Sequence, residues 1–312
     1  MSTVSIIIPA YNAASTLADT LQSVLSQTYQ DFEIWIIDDG SQDETEVVVQ
    51  AQSDPRIHFL KQSNAGPAAA RNRGVAASAG ELITFLDADD CWTPDKLADQ
   101  VRVLAERPDA AVAYSWTDYI DMAGQPLYAG CRDRHEGEVY GALFRHNFIE
   151  SGSNLMVRRA ALEEVGGFDT SLRAVEDWEL WLRLAEKYSF ALVPKAQILY
   201  RVMPDSNSSN WNFQEKVLTQ VLDAALARSP RRLAPHRRAS LTNLYQYLMF
   251  RALSLGQTRW QYCQGLRYFL LSLRYGPQCI WQRSRLMAIV LAKISLGLLL
   301  SPRGLRDRVA LD

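Results

Sequence analysis

ELITFLDADDCW, residues 81–92, is the stretch that decides the fold. A short, largely apolar run reads as a buried strand, and it ends abruptly in three carboxylates, Asp87, Asp89 and Asp90. Like charges this close repel. Either water solvates them in a loop, or a cation sits among them.

Working outward, three similar runs precede this one: VSIII (4–8), FEIWIID (32–38) and RIHFL (56–60). Helical stretches alternate with them. Residues 14–27 place Leu17, Leu21, Val24 and Leu25 on one face. SQDETEVVVQAQ follows the second strand with Ser41 as its expected cap. GPAAARNRGVAASAG leads into the 81–92 stretch, and Thr93-Pro94 supplies an N-cap and a first-turn proline for DKLADQVRVLAE. This alternation predicts an α/β fold with a mainly parallel, mixed sheet flanked by helices. Right-handed crossovers then gather three polar segments at the strands' C-terminal ends: PAYN (9–12), DDGS (38–41) and DADD (87–90).

Further on, AVAYSWTDYI (111–120) reads as a strand followed by the turn DMAGQP. A mixed region to about residue 201 includes GGFD (166–169) and the helix VEDWELWLRLAEKY (175–188), whose Trp178, Trp181, Leu182 and Leu184 suit a core. From about residue 212 the pattern is helical throughout. The chain is therefore expected to divide into residues 1–210, with halves 1–120 and 121–210, and a helical appendage, 211–312.

Charge divides along the same line. Up to residue 227 there are 18 Lys+Arg and 33 Asp+Glu, a net of −15; from Arg228 onward there are 15 and 2, a net of +13. A basic tail suits an anionic surface. The four cysteines are scattered without metal-ligand spacing, which favours a reducing, cytoplasmic setting. VSIIIPAY lacks the basic flank and length of a secretory signal. LMAIVLAKISLGLLL (286–300) is interrupted by Lys293 and is shorter than the roughly 20 residues a spanning helix needs, so it reads as a buried or interfacial helix.

Asp87 and Asp89 offer oxygen ligands to a hard ion such as Mg²⁺ or Mn²⁺, with substrate phosphates completing the shell; a solvated helix-capping turn is the plainer alternative. Asp38-Asp39-Gly40-Ser41 could accept hydrogen bonds from a base edge, or simply form a turn. Tyr11 offers a stacking ring, or closes a core strand. Arg71 and Arg73 compete as a clamp for phosphate or for the acidic cluster. A carboxylate of Glu176-Asp177 could take a proton from an attacking hydroxyl, or merely favour the helix dipole. Trp178 and Trp181 could wall a sugar site or fill the core. The four histidines form no H-x-x-x-H or triad pattern.

VSIIIPAYNAASTLADTLQSVLSQTYQDFEIWIIDDGSQDET, NAGPAAARNRG, the D-x-D of FLDADD, GGFD and the ED of VEDWELWLRLAEKY stand in an order that resembles the family 2 inverting glycosyltransferases of GT-A (Rossmann-like) fold. The resemblance covers residues 3 to about 201. It implies that Pro9 and Tyr11 hold the nucleotide base, that Asp39 reads it, and that Arg71 lies near base and phosphate. It also implies that Asp87 reaches the ribose, Asp89 binds the metal, and Asp177 is the catalytic base. On this reading 1–120 is the nucleotide-sugar half and 121–210 the acceptor half, with SGSNLMVRR (151–159) near the acceptor. The implied activity is transfer from a nucleoside-diphosphate sugar, with Mn²⁺ or Mg²⁺, to a glycan or lipid-linked acceptor in cell-surface polysaccharide or glycolipid assembly. Relatives often carry a His in YRxHxxSxS; here YRVMPDSNSS has Met203 in that place, which puts a protein ligand from this loop in doubt.

The tail mixes arginine with aromatics, densest in RWQYCQGLRYFLLSLRYG (259–276). It is expected either to rest peripherally on the anionic inner face of the cytoplasmic membrane, or to dock on the acidic half. No nucleic-acid motif is present. Two competing classes remain: a metal-dependent nucleotidyltransferase, although PAYNAAST is not the Gly-rich basic loop such enzymes carry, and a non-catalytic nucleotide-sugar-binding protein.

Overall fold

The computed structural model describes residues 3–203, 211–254, 258–278, 281 and 284–300. Along the chain run β1 (Val4–Ala10), α1 (Leu17–Leu25), β2 (Phe32–Asp38), α2 (Thr45–Gln50), β3 (Ile57–Lys61), α3 (Pro67–Ala77) and β4 (Leu82–Phe85). Then come β5 (Cys91–Trp92), α4 (Lys96–Glu106), β6 (Ala110–Ile120), β7 (Pro126–Ala129), α5 (Tyr140–Arg145), β8 (Met156–Arg158), α6 (Arg159–Val165), α7 (Glu176–Lys187) and β9 (Ser189–Arg201). The helices α8 (Trp211–Arg228), α9 (Pro230–Leu233), α10 (Arg237–Ser254), α11 (Arg259–Tyr275) and α12 (Ser284–Leu300) complete the described chain. Two compact units emerge. The first comprises Met1–Leu143 with Asn147–Asn207; the second comprises Phe144–His146 with Ser208–Asp312.

The first unit is built on one nine-stranded sheet of order β3-β2-β1-β4-β8-β6-β9-β5, with β7 paired to β6. β1 lies between β2 and β4 and is parallel to both. Its continuous apolar sequence follows from burial on both faces. Pro9 is tolerated because the ladder to β4 ends at Ile7, leaving only β2 alongside. The strand order reverses between β1 and β4, and ligands in open α/β sheets bind in the crevice beyond such a switch point. The loops carrying PAYN and DADD flank it.

Beyond β4 the sheet becomes mixed. β8 is antiparallel to β4 and β6, while β6 and β9 run parallel. β5, β7, β8 and β9 are strands that the sequence pattern did not reveal. In β9, Pro194 and Lys195 interrupt the apolar run, and the β6–β9 register shifts opposite them, between Tyr114 and Trp116. A bulge there accommodates the proline.

Two helix starts differ from expectation. α2 begins at Thr45, not beside Ser41: the Ser41 N–H donates to Asp38 Oδ1 at 2.9 Å and its hydroxyl accepts from the Asn12 N–H at 2.9 Å. Thr93 is one turn early for α4, and its hydroxyl donates to Asp95 at 2.7 Å. Side-chain chemistry that resembles a cap joins two loops at Ser41 and closes a local turn at Thr93.

α3 presses against β1 through Gly74, where a Cβ would stand 2.3 Å from Ile7 Cγ2. Ile7 is fully buried and cannot retreat. Gly74→Ala is therefore expected to destabilise the unit by about 1–3 kcal/mol despite alanine's better helix propensity. Chemical denaturation of the two proteins measures this.

The second unit is helical among its described residues. Thr258 and Gln261 form a reciprocal capping box that starts α11. Gly265 of α11 makes room for Leu253 of α10, and Gly297 of α12 for the Tyr262 ring of α11. Arg267 forks onto Glu215 at 2.7 and 3.0 Å. On α12, Met287, Val290 and Ile294 are buried while Ile289, Leu291, Leu296, Leu299 and Leu300 are exposed. No helix among the described residues is long and apolar enough to cross a membrane.

Candidate active site

Three loops are laced together at the crevice. Thr16 and Thr20 of the first loop and α1 donate to the Ala88 carbonyl at 2.9 and 3.0 Å, and Thr20 also reaches the Asp90 carbonyl at 2.9 Å. Asn12, with φ 50°, accepts from the Gln42 N–H at 2.8 Å, and Ala13 N–H donates to Thr45 Oγ1 at 2.8 Å. The segments around PAYN, DDGS and DADD thus share one edge of the sheet.

Arg71 is buried and forks between two carboxylates: Nη2 to Asp87 Oδ1 at 2.6 Å and Nη1 to Glu176 Oε1 at 2.8 Å. Burial alone would lower its pKa, but Asp87 and Glu176 more than reverse that, so the guanidinium stays charged. Its Nε has no partner among the described residues. Arg73 lies outside, donating to the Lys61 carbonyl at 2.8 Å. The structure therefore places Arg71, and not Arg73, among the acidic groups.

Asp177 joins this group. Gly152 sits over it: Arg71 Nη2, Asp87 Oδ2 and Asp177 Oδ2 all lie within 3.7 Å of the point where a Gly152 Cβ would stand. Burial, and then the neighbouring Glu176, push the Asp177 carboxyl up to about 7. Its Oδ1 accepts the Trp178 N–H at 2.6 Å. The preceding residue, Val175, has φ 55°. A β-branched residue in the left-handed region carries backbone strain, and here it turns the chain so that Glu176 and Asp177 open α7 facing Arg71.

Asp89 has no side-chain partner among the described residues. Burial and the adjacent Asp87 push its pKa up to about 6. Asp90 faces inward instead: it accepts from Ser153 at 2.6 Å, Ser151 at 3.2 Å and the Arg201 N–H at 3.0 Å. Asp87 Oδ2 and the Asp89 carboxylate accept no side-chain hydrogen bond among the described residues, and two such oxygen ligands fit a hard divalent ion such as Mn²⁺ or Mg²⁺.

Asp39 is buried and already committed in part. It accepts from Gln62 Nε2 at 2.7 Å and from the N–H groups of Ala65 and Gly66, each at 2.8 Å. A carboxylate offers about four acceptor positions, so roughly one remains for a ligand. Its clamp fixes the turn before α3 and so sets where Arg71 emerges. Pro9 is partly buried in β1, and Tyr11 is 51% exposed just beyond it. Trp178 and Trp181 are core residues at 6% and 0% exposure, so neither walls a sugar site.

Several residues that hold this arrangement lie in segments the sequence singled out, but nothing in the sequence gave their individual roles. Arg201 is buried at the end of β9 and donates to the Asp89 carbonyl at 2.9 Å and the Met122 carbonyl at 2.8 Å. Ser153 donates to Asp90 and accepts the Asp87 N–H at 3.0 Å, which makes SGSN a brace for DADD. Asn72 exchanges two hydrogen bonds with Phe168 of GGFD, at 2.8 and 2.9 Å, and the Phe168 ring lies 5.2 Å from the Arg71 guanidinium. Tyr200 adjoins the same centre: burial first, then Asp90, Asp89, Asp87 and Asp177, raise its hydroxyl pKa. Met203 is described, but residues 204–209 of YRVMPDSNSS lie outside the described residues, as does Cys279.

The model of glycosyl transferase family 2 matches residues 5–166. An uncharacterized glycosyltransferase of Rickettsia prowazekii is 33% identical over 185 residues, 58% of each chain; this chain thus spans little more than half the length of that relative. The putative teichuronic acid biosynthesis glycosyltransferase TuaG of Bacillus subtilis is 34% identical over 222 residues, 68% of this chain and 84% of the relative. Among solved structures, S. aureus TarS 1–349 in complex with UDP-GlcNAc matches with a TM-score of 0.65 at 17% identity, covering 95% of this chain and 89% of that one, a likeness of fold. The matched family model spans more than half of the sequence and includes Arg71, the DADD loop and Gly152, and the chain belongs to glycosyltransferase family 2.

Proposed function

We propose that this chain is a metal-dependent, inverting glycosyltransferase that moves a sugar from a nucleoside-diphosphate sugar to an acceptor hydroxyl. The observation that carries the reading is the convergence of Asp87, Arg71 and Asp177 beneath Gly152 from three separated loops. Asp177, with a pKa near 7, takes the acceptor proton. The acceptor oxygen then attacks the anomeric carbon, and the bond to the diphosphate oxygen breaks with its electron pair. A single displacement inverts configuration and needs no covalent intermediate. Asp87 and Asp89 would hold Mn²⁺ or Mg²⁺, which when bound offsets charge on the leaving diphosphate. Pro9, Tyr11 and the remaining acceptor position of Asp39 form the base end, and Arg71 pairs with Asp87.

The name of the Bacillus relative and the UDP-GlcNAc bound to TarS support a UDP-sugar donor and a glycan or lipid-linked acceptor in cell-surface polysaccharide or glycolipid assembly. The exposed apolar residues of α12, Ile289, Leu291, Leu296, Leu299 and Leu300, with no acidic residue in the helix, support peripheral attachment to the anionic inner face of the cytoplasmic membrane. Flotation of the full chain with anionic vesicles at low salt tests that attachment, and failure to float contradicts it.

The activity is tested by incubating the full chain and Mn²⁺ with a panel of nucleotide sugars. Slow release of free nucleoside diphosphate from at least one donor is expected, and EDTA should abolish it. Release of pyrophosphate instead would identify a nucleotidyltransferase. Binding without release, even with acceptor glycans added, would identify a non-catalytic binder.

A further inference from the structure

The loop that covers the acidic centre turns on one strained residue. Glu150 has φ 70° without being glycine, and it stands two residues before Gly152, whose Cβ position lies 3.7 Å from Asp177 Oδ2. The left-handed region is costly for a residue that carries a Cβ, so something must hold it there. Its own side chain does so. Glu150 Oε2 accepts the Cys131 N–H at 2.8 Å, and Oε1 accepts the Tyr119 hydroxyl at 3.4 Å. Gly130 leaves the space for that carboxylate: a Cβ there would collide with Glu150 Oε2 and stand 2.5 Å from the Thr117 carbonyl oxygen. From the other side the Asn147 side chain accepts the N–H groups of Ile149 and Glu150, each at 3.3 Å. Arg132 favours the charged form of Glu150 but is itself paired with Asp118, so Glu150 makes no ion pair among the described residues. Its carboxylate works there as a pair of acceptor oxygens.

The far end of the loop is pinned independently. Asn154 accepts the Ser115 N–H at 2.8 Å and donates to the Ser115 carbonyl at 2.7 Å, and Ser153 donates to Asp90 at 2.6 Å. Only Ser151 and Gly152 remain between these pins and Glu150, so the place where Glu150 is held decides where Gly152 lies. We propose that Glu150 is a positioning residue: it anchors the turn to the Gly130–Cys131 backbone and so holds Gly152 against Asp87 and Asp177. The inference deepens the glycosyltransferase reading and rests on it. Gly152 has no side chain, so it acts on the carboxylates only by lying close to them. The loop leads into β8, across β4 from the base end at β1 and β2. Loss of the anchor should therefore be felt in turnover and not in donor affinity.

Glu150→Gly and Glu150→Gln test this in the full chain. Glycine removes the anchor and the backbone strain together, because it adopts positive φ freely, so the melting temperature should stay close to wild type. Glutamine keeps a carbonyl oxygen for the Cys131 N–H. Hydrogen exchange at the amides of residues 150–154 should quicken about tenfold in Glu150→Gly and match wild type in Glu150→Gln. In the Mn²⁺ assay of nucleoside diphosphate release, on whichever donor wild type turns over, Glu150→Gly should lose about tenfold in kcat at unchanged donor KM, and Glu150→Gln should keep both. Unchanged exchange or unchanged kcat in Glu150→Gly overturns the positioning role. So does an equal loss in Glu150→Gln, which would assign the effect to charge, or a fall in melting temperature that tracks the lost activity. If wild type releases nucleotide from no donor, the glycosyltransferase reading fails by itself, and the exchange comparison still decides whether Glu150 anchors the loop.

Discussion

Asp177→Asn is expected to lower sugar transfer by about 10²–10⁴-fold while nucleotide binding survives. The substitution keeps the shape and the acceptor for the Trp178 N–H, and removes only the ability to take a proton. The pH behaviour follows from the same residue. The Asp177 carboxyl is raised from 3.8 to about 7, chiefly by burial. A base must be ionised to act, so kcat/KM of the free enzyme should climb through about pH 7 and level off above it. Stability runs the other way. The folded chain holds this proton more tightly than the unfolded chain, so the Asp177 contribution declines as pH rises from 3.8 to about 7. Asp177→Asn should therefore melt no earlier than wild type above neutral pH. Paired melting and rate profiles separate a lost base from a lost fold; early melting of the variant would assign Asp177 to structure.

Arg71→Met is expected to cost about 3–5 kcal/mol, lowering the melting temperature by roughly 10 °C. Methionine fills a similar volume, so the loss is electrostatic. Asp87 and Glu176 would be left facing each other across the space the guanidinium occupied, with Asp177 close by. Adding Asp87→Asn and Glu176→Gln to Arg71→Met should recover much of the stability without recovering activity, because the neutral trio no longer repels. Arg71→Lys should fall between, since one ammonium does not reproduce a fork that spans two carboxylates. If Arg71→Met melts with wild type, the buried ion network does not have the role assigned to it.

Local pattern made half of this molecule legible. Strands such as FEIWIID announce themselves because central parallel strands are apolar on both faces, and β2 covers Phe32–Asp38 as expected. The alternation with helices then placed the acidic loops at one edge. The antiparallel half was not legible for a matching physical reason. β5 has two residues, β8 has three, and β9 crosses a bulge at a proline, so none carries a periodic signal. Ser41 and Thr93 resembled caps because a hydroxyl that can satisfy a helix end can equally serve a neighbouring loop, as Ser41 does for Asn12, or a local turn, as Thr93 does with Asp95.

The candidate site divides in the same way. Asp87, Asp89, Asp39 and Asp177 stand out as charges at strand or helix ends. Their supports do not: Arg201 is 112 residues from Asp89, and Asn72 is 96 from Phe168. Such pairings exist only after the chain closes. The structure also assigns motif residues work that spacing does not reveal, such as the Asp39 clamp on the Ala65 and Gly66 N–H groups.

The most direct measurement is calorimetric titration of UDP, GDP and dTDP into the full chain, with Mn²⁺ and with EDTA, for wild type and Asp87→Asn/Asp89→Asn. One nucleotide should bind wild type only when Mn²⁺ is present, and the double variant should lose that binding by about 100-fold or more, the scale of two lost charge-assisted contacts. Equal affinity in EDTA, or full Mn²⁺-dependent affinity without both carboxylates, would show that the acidic loops do not meet around a metal-held diphosphate.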